Sequence, residues 1–142
     1  MKLTTANKII EAALAEGRAR NFAPLVVAVL DAGGNIVAYQ REDGSGIVRF
    51  NIAYGKAWGS LGMGFGSREL TARTATQPHF VAALANISGG RAVPSPGGVL
   101  IADDSGSIIG AVGVSGDTGD NDEICALAGL AAAGLRGIPG KP

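Results

Sequence analysis

Cysteine, histidine and tryptophan each occur once in this 142-residue chain, and aromatic side chains make up only 5% of it. The single cysteine, Cys125, closes no intramolecular disulfide, and no Cys/His cluster carries a zinc-type spacing. Any imidazole chemistry falls to His79 alone. Charge of one sign is missing too: 12 basic residues face 12 acidic ones, with no block of either. That excludes the electrostatic footprint of a nucleic-acid binder and gives no basis for attraction to an anionic membrane surface. Apolar runs are broken by glycine or charge well short of a membrane-spanning length. Met1–Thr5 has one lysine followed by a helix-like pattern, not the apolar stretch of a signal peptide, so the expected compartment is the cytoplasm.

What the chain has in quantity is small residues. Glycine fills 23 positions, and alanine is abundant, which predicts close backbone packing and sharp turns. The length suits one domain with a core that needs no disulfide or structural metal. A neutral domain of this size lacks the self-repulsion that keeps monomers apart, and the expected partners are a small ligand and further copies of the chain.

Helical spacing of Ala6, Ile9, Ile10, Ala13 and Leu14 predicts a first helix, capped by Thr4 or Thr5 and ending between Gly17 and Asn21. Leu25–Leu30 is a continuous apolar run suited to a strand buried on both faces. Asp31–Asn35 is a turn by composition, and Ile36–Arg41 returns as a second strand. The same plan recurs at Val99–Ala102, Asp103–Gly106 and Ser107–Val114. Aligning Asp31 with Asp103 puts Gly34 on Gly106, and the two hairpins are candidates for neighbours in one antiparallel sheet. Between them, Phe50, Ala53, Tyr54, Ala57, Trp58 and Leu61 predict a helix over Val48–Leu61. Gly62, Gly64 and Gly66 predict a mobile connection after it, with short helices at Ser67–Thr74 and His79–Ile87. A last helix is expected over Asn121–Gly134, and a disordered tail from about Gly137.

The most informative segment for chemistry is Gly113–Glu123, where a strand exits through Gly-Ser-Gly and enters a helix at its acidic start. Unsatisfied N–H groups there favour anionic groups, so Asp120 or Asn121 reads as the cap, with Asp122 and Glu123 complementing the dipole. The functional alternative is a ligand pocket floored by the Gly-Ser-Gly backbone at Ser115, in which Asp117, Asp120, Asp122 or Glu123 binds a polar ligand or a hard cation. No EF-hand spacing supports the cation. Lys56 and Arg41 are candidates for a polar pocket wall, and the bland reading of Lys56 is a stem covering apolar surface. Arg91, between a glycine pair and the Pro94–Gly98 loop, is placed to hold a carboxylate with both arms of its fork. His79 is the candidate imidazole, read otherwise as partly buried and structural. Cys125 lies near a helix start but reads as a buried, inert thiol. Gly62-Met63-Gly64-Phe65-Gly66 is not a phosphate loop, for no strand and no Gly-Lys-Ser/Thr frames it.

From Leu3 to Gly134 the chain resembles the GlcG/HbpS-like (DUF336, haem-binding) domain family. The matching stretches are Val29–Ala38 with Arg41 downstream, Lys56-Ala57, Pro94–Val99, Ile109–Gly116 and Asp122–Ala126. The resemblance implies a profilin-like α+β fold, a central antiparallel sheet of about five strands flanked by helices. It also implies an oligomer, with haem, iron or corrinoid-related cofactors bound by some members. Other members are fused to corrinoid adenosyltransferases, or are encoded beside genes of glycolate oxidation or aromatic catabolism. Haem-binding relatives can use a histidine near the first helix, and this chain has none there.

Three readings follow. One is a small-molecule or cofactor-binding oligomer, haem being the candidate cofactor, with a pocket built by the Pro94–Gly98 loop, the Ser115–Glu123 loop and the Lys56 helix. Another is a cofactor-independent isomerase or lyase, with His79 or Glu123 moving protons and Arg91 or Lys56 holding a carboxylate. The third is a structural accessory oligomer.

Overall fold

β1 (Val26–Asp31) organises the molecule because its side chains are apolar on both faces. In the computed structural model, which describes all residues Met1–Pro142, Leu25, Val27 and Val29 point to one side of the sheet and Val26, Ala28 and Leu30 to the other. Strand pairing spreads outward from it. β2 (Ile36–Arg41) forms one edge, β4 (Ile108–Ser115) lies on the other side of β1, β3 (Gly98–Ala102) pairs with β4, and β5 (Arg136–Ile138) closes the far edge. Every pairing is antiparallel, in the order β2-β1-β4-β3-β5. Two neighbouring hairpins account for four strands, as the sequence pattern predicts.

The hairpin turns share one construction. Asp31 Oδ1 accepts from the N–H groups of Gly33 and Asn35, and Asp103 Oδ1 accepts from those of Ser105 and Ser107. Gly34 and Gly106 both take the left-handed backbone, at φ 81° and 84°, and each strand pair carries an irregularity just beside its turn. An aspartate closing a turn on its own downstream amides is the reason Asp and Gly recur at this spacing.

On one face of the sheet, α1 (Leu3–Ala19) and α5 (Gly119–Ala132) cover Val27, Val29, Val99, Ile101, Val112 and Val114 with Ile9, Ile10, Cys125, Ala126 and Leu130. On the other face lies α2 (Arg49–Met63), seated on Ala28, Ala111 and Gly113 through Ala53 and Ala57. A Cβ at Gly113 would collide with the Ala53 carbonyl, so small residues set the helix-to-sheet distance here. α3 (Ser67–Thr76) and α4 (Pro78–Ile87) then lead round to β3.

Several local expectations shift. α1 begins at Leu3 after Lys2, with no side-chain cap, and both Thr4 and Thr5 lie inside its first turn. α2 runs through Gly62 to Met63 and ends at Gly64 in the left-handed conformation, and Gly66 opens α3. α5 is capped by Thr118, whose hydroxyl accepts from Asn121 N, and not by Asp120 or Asn121. The fifth strand comes from the segment expected to be a loose tail. Gly137 has no side chain to strike Leu127, Leu130 or Val99, so the chain can lie flat along β3. Beyond it, Pro139 O accepts from Arg68 N and Glu69 accepts from Lys141 N.

Candidate functional site

Lys56 and Asp122 meet under the sheet. The Lys56 ammonium donates to Asp122 Oδ2 and to the Val114 carbonyl, both at 2.9 Å, and Asp122 Oδ1 accepts from Asp117 N at 3.0 Å. Both side chains are buried, at 2% and 1% exposure, so Lys56 is not a stem reaching to water. Burial pulls each toward its neutral form, lowering the lysine and raising the aspartate, and their mutual attraction opposes this. The Pro94–Gly98 loop reaches the pair through Gly97, at φ 121°, where a Cβ would crowd Val114 O, Asp122 Cβ and Lys56 Nζ. The three segments expected to build a pocket therefore do converge, but on one another. None of the four cavities in the chain is lined by Lys56, Ser115, Asp117, Asp122 or Glu123.

The remaining acids of the α5 entry go to separate partners. Glu123 accepts from Arg68 Nε with both oxygens, at 3.1 and 3.0 Å, and Asp120 pairs with the same guanidinium. Asp117 accepts from Ala23 N, Thr118 N and Asn121 Nδ2, and these bonds, Ala23 first, hold its pKa below the usual aspartate value. Ser115 is buried, with Arg49 Nη1 at 3.4 Å from its hydroxyl. No three histidine, cysteine or carboxylate side chains are gathered closely enough to hold a metal ion. Cys125 sits in the core, and burial first, then the charge of Asp122, pushes its thiol up to about 12.

Arg41 lies elsewhere, donating to Ser45 O at 2.8 Å in a cavity of about 450 Å³ with Arg18, Glu42 and Asp43. The polar groups of that cavity are largely paired: Arg18 with Glu42 and with the Phe22 and Ala23 carbonyls, and Glu42 with Leu25 N. His79 is exposed at the start of α4, and not half-buried as its neighbour Phe80 suggested. It is brought together with none of the other candidates.

The concave surface with ligand-like walls follows the outer flank of α2. Ile36, Phe50, Asn51, Tyr54 and Gly89–Arg91 line a cavity of about 360 Å³. Next along the helix come one of about 220 Å³ under Gly33, Gly34, Trp58 and Leu61, and one of about 140 Å³ between Trp58, Met63, Leu84 and Ile87. Phe50 lies 6.1 Å from Tyr54 and 4.5 Å from Tyr39, centroid to centroid. The Arg91 guanidinium rests over Trp58 at 4.4 Å, and its Nε donates to Ser88 O at 3.1 Å. Gly55 makes this possible, because a Cβ there would strike the Arg91 carbonyl. Aromatic walls with few polar groups are the usual make-up of a small-molecule pocket.

Of the residues singled out in sequence, Arg91 alone reaches this groove. Phe50, Tyr54 and Trp58 read only as an apolar helix face, and Asn51 carried no signal at all. The trace that points to the groove is the pair Gly55 and Gly59, one turn apart beside Tyr54 and Trp58, where α2 admits the backbone of Arg91–Val93.

A five-stranded antiparallel sheet held between α1/α5 and α2 defines the profilin-like class of α+β domain. Within that class the chain belongs to the HbpS-like family, described as haem degrading protein HbpS-like, whose model matches residues 1–131. A crystal structure of a PduOC:haem complex is similar at 26% identity, with TM-score 0.86 and coverage of 96% of each chain. A crystal structure of HbpS is 30% identical, with TM-score 0.80, covering 92% of this chain and 88% of the other. A 15.0 kDa protein from the dhaT–dhaS intergenic region of Citrobacter freundii is 32% identical over 124 residues, which is 87% of this chain and 85% of that one. No helix of the chain is long and apolar enough to cross a membrane.

Proposed function

We propose that the protein is a haem- or tetrapyrrole-binding domain working as a homo-oligomer, in the cytoplasm on the sequence grounds given above. The observation that carries the haem reading is the family match over residues 1–131, joined to likeness over the full fold to a relative crystallised with haem. The chain's own residues fit such a group through their walls: the α2 groove offers Phe50, Tyr54 and Ile36 to a flat apolar face, and Arg91 to an acidic edge. Haem iron takes His, Cys, Met or Tyr from a protein. Cys125 is sealed in the core. His79 stands about 7.5 Å along α4 from Leu84, the first residue of that helix to line the groove, at 1.5 Å per residue. Tyr54 is the residue of an iron-ligating type that lines the ≈ 360 Å³ cavity.

Support for self-association comes from β2, whose outer edge pairs with no strand of the chain. Ile36 and Tyr39 on it are exposed, and Ile47 beyond it is 92% exposed. Apolar residues along an open edge favour contact with another chain.

The test is a haemin titration of the purified protein followed by Soret absorbance, with light scattering on the same samples. A saturable shift near one haem per chain is expected, unchanged in His79→Ala and displaced in Tyr54→Phe. Absence of any saturable shift removes the haem reading, and loss of the shift in His79→Ala moves the ligand to α4. A monomeric mass removes the oligomer.

A further inference from the structure

Half of the chain's eight arginines, Arg18, Arg20, Arg68 and Arg73, hold a carboxylate, and Arg91, like Arg41, Arg49 and Arg136, does not. The hydrogen bond of Arg91 runs from Nε to Ser88 O, which leaves the two terminal nitrogens without a protein partner. The guanidinium is nevertheless fixed in place. It lies on the Trp58 ring at 4.4 Å, its own carbonyl is seated against Gly55, and the turn before it passes through Gly89 and Gly90 at φ 64° and 81°. Those two glycines put no side chain on the rim of the ≈ 360 Å³ cavity that Arg91 lines, and a Cβ on either would meet open space. A cation held on an aromatic face at the wall of a cavity, with one nitrogen tied back and two without a protein partner, is a preorganised fork for a carboxylate. Phe50 and Tyr54 stand beside it, 6.1 Å apart and 26° from parallel, and they suit a flat ring system.

We propose that the α2 groove binds a planar π-system bearing a carboxylate, with the Arg91 guanidinium receiving the carboxylate end-on. Two sources share this chemistry, a porphyrin carrying its propionates and a free aromatic acid. The first rests on the haem reading above and the second does not.

The experiment titrates the full chain and its Arg91→Lys and Arg91→Ala variants with haemin, benzoate and benzamide. Haemin is read by its Soret band, and the other two by emission of Trp58, the chain's single tryptophan. Arg91 is exposed, so both variants are expected to keep the parent circular dichroism and melting temperature. A charge-assisted fork is worth roughly a tenfold or larger loss of affinity when removed, and lysine does not replace it. Expected are saturable binding of benzoate at Trp58, at least about tenfold weaker binding of benzamide, and a comparable loss for benzoate and haemin in both variants. Benzoate dependent on Arg91 with haemin binding unchanged upholds the groove for free aromatic acids and places haem elsewhere. Benzoate dependent on Arg91 with no haemin binding at all upholds the groove and removes the haem reading. Haemin binding equally well to all three proteins, with no benzoate-specific response at Trp58, overturns the proposal and leaves the haem reading standing.

Discussion

Lys56 carries an ammonium into the space between α2 and β4, and nothing but Asp122 and the Val114 carbonyl receives it. Removing one member of such a pair strands the other charge away from water, at a cost of about 3–5 kcal/mol. Lys56→Met is therefore expected to lower the unfolding free energy by about that much in urea denaturation. Adding Asp122→Asn should recover a large part of the loss, since the amide oxygen still accepts from Asp117 N and no charge stays buried. If the double variant is no more stable than Lys56→Met, the pair is not what the buried charge depends on. At this scale sequence reasoning named both residues and missed their relation. Sixty-six positions separate them, and only the seating of α2 on β4 makes them neighbours.

At the scale of elements, the helix face Phe50–Leu61 shows what periodicity settles and what it leaves open. Spacing of i, i+3, i+4 fixes a helix with an apolar stripe. It does not say which residues of the stripe meet the sheet. Ala53 and Ala57 do, because they are small enough to sit on Ala28, Ala111 and Gly113, and this turns Phe50, Tyr54 and Trp58 outward as groove walls. β5 shows the opposite failure. Arg136-Gly137-Ile138 is too short and too close to glycine and proline to read as a strand, yet it pairs with Leu100–Ala102 on the open edge of β3. Truncation after Gly134 should lower the melting temperature measurably and promote concentration-dependent aggregation, because it uncovers the edge of an apolar strand. A truncated chain that melts like the parent and stays dispersed would show that β5 does not protect that edge.

For the whole molecule, acid stability follows from where the carboxylates go. Asp31 and Asp103 are lowered chiefly by bonds from their own turns, led by Asn35 N and by the Ser105 hydroxyl, and Asp117 chiefly by Ala23 N. Glu69 is lowered chiefly by Arg73. A carboxylate with a depressed folded pKa contributes stability above its unfolded value and loses it as pH falls through the folded one. The unfolded values stand at 3.8 for aspartate and 4.5 for glutamate, so the loss begins below about those values. Asp122 runs the other way, since its raised pKa favours folding at low pH and weakens that contribution as pH climbs above 3.8. Four groups oppose one, and the melting temperature is expected to hold level near neutrality and fall once pH drops below about 4. A melting temperature still level at pH 3 would mean the turn aspartates are as well solvated folded as unfolded.

The order of elements as far as α5, the twin hairpins with Asp and Gly at matching turn positions, the doubly buried β1 and the family itself were all determined by the sequence alone, while β5 was not. Each depends on local backbone chemistry or on a period that neighbouring residues carry between them. Three things were decided only by the tertiary structure. The acidic entry to α5 is spent on internal partners, Lys56 and Arg68 among them; the cavities open along α2 instead; and Arg91 stands beside aromatic rings from a helix some thirty residues earlier in the chain. These outcomes depend on which side chains are small enough for backbones to touch across the fold, at Gly55, Gly97 and Gly113, and a contact of that kind leaves no period in the sequence.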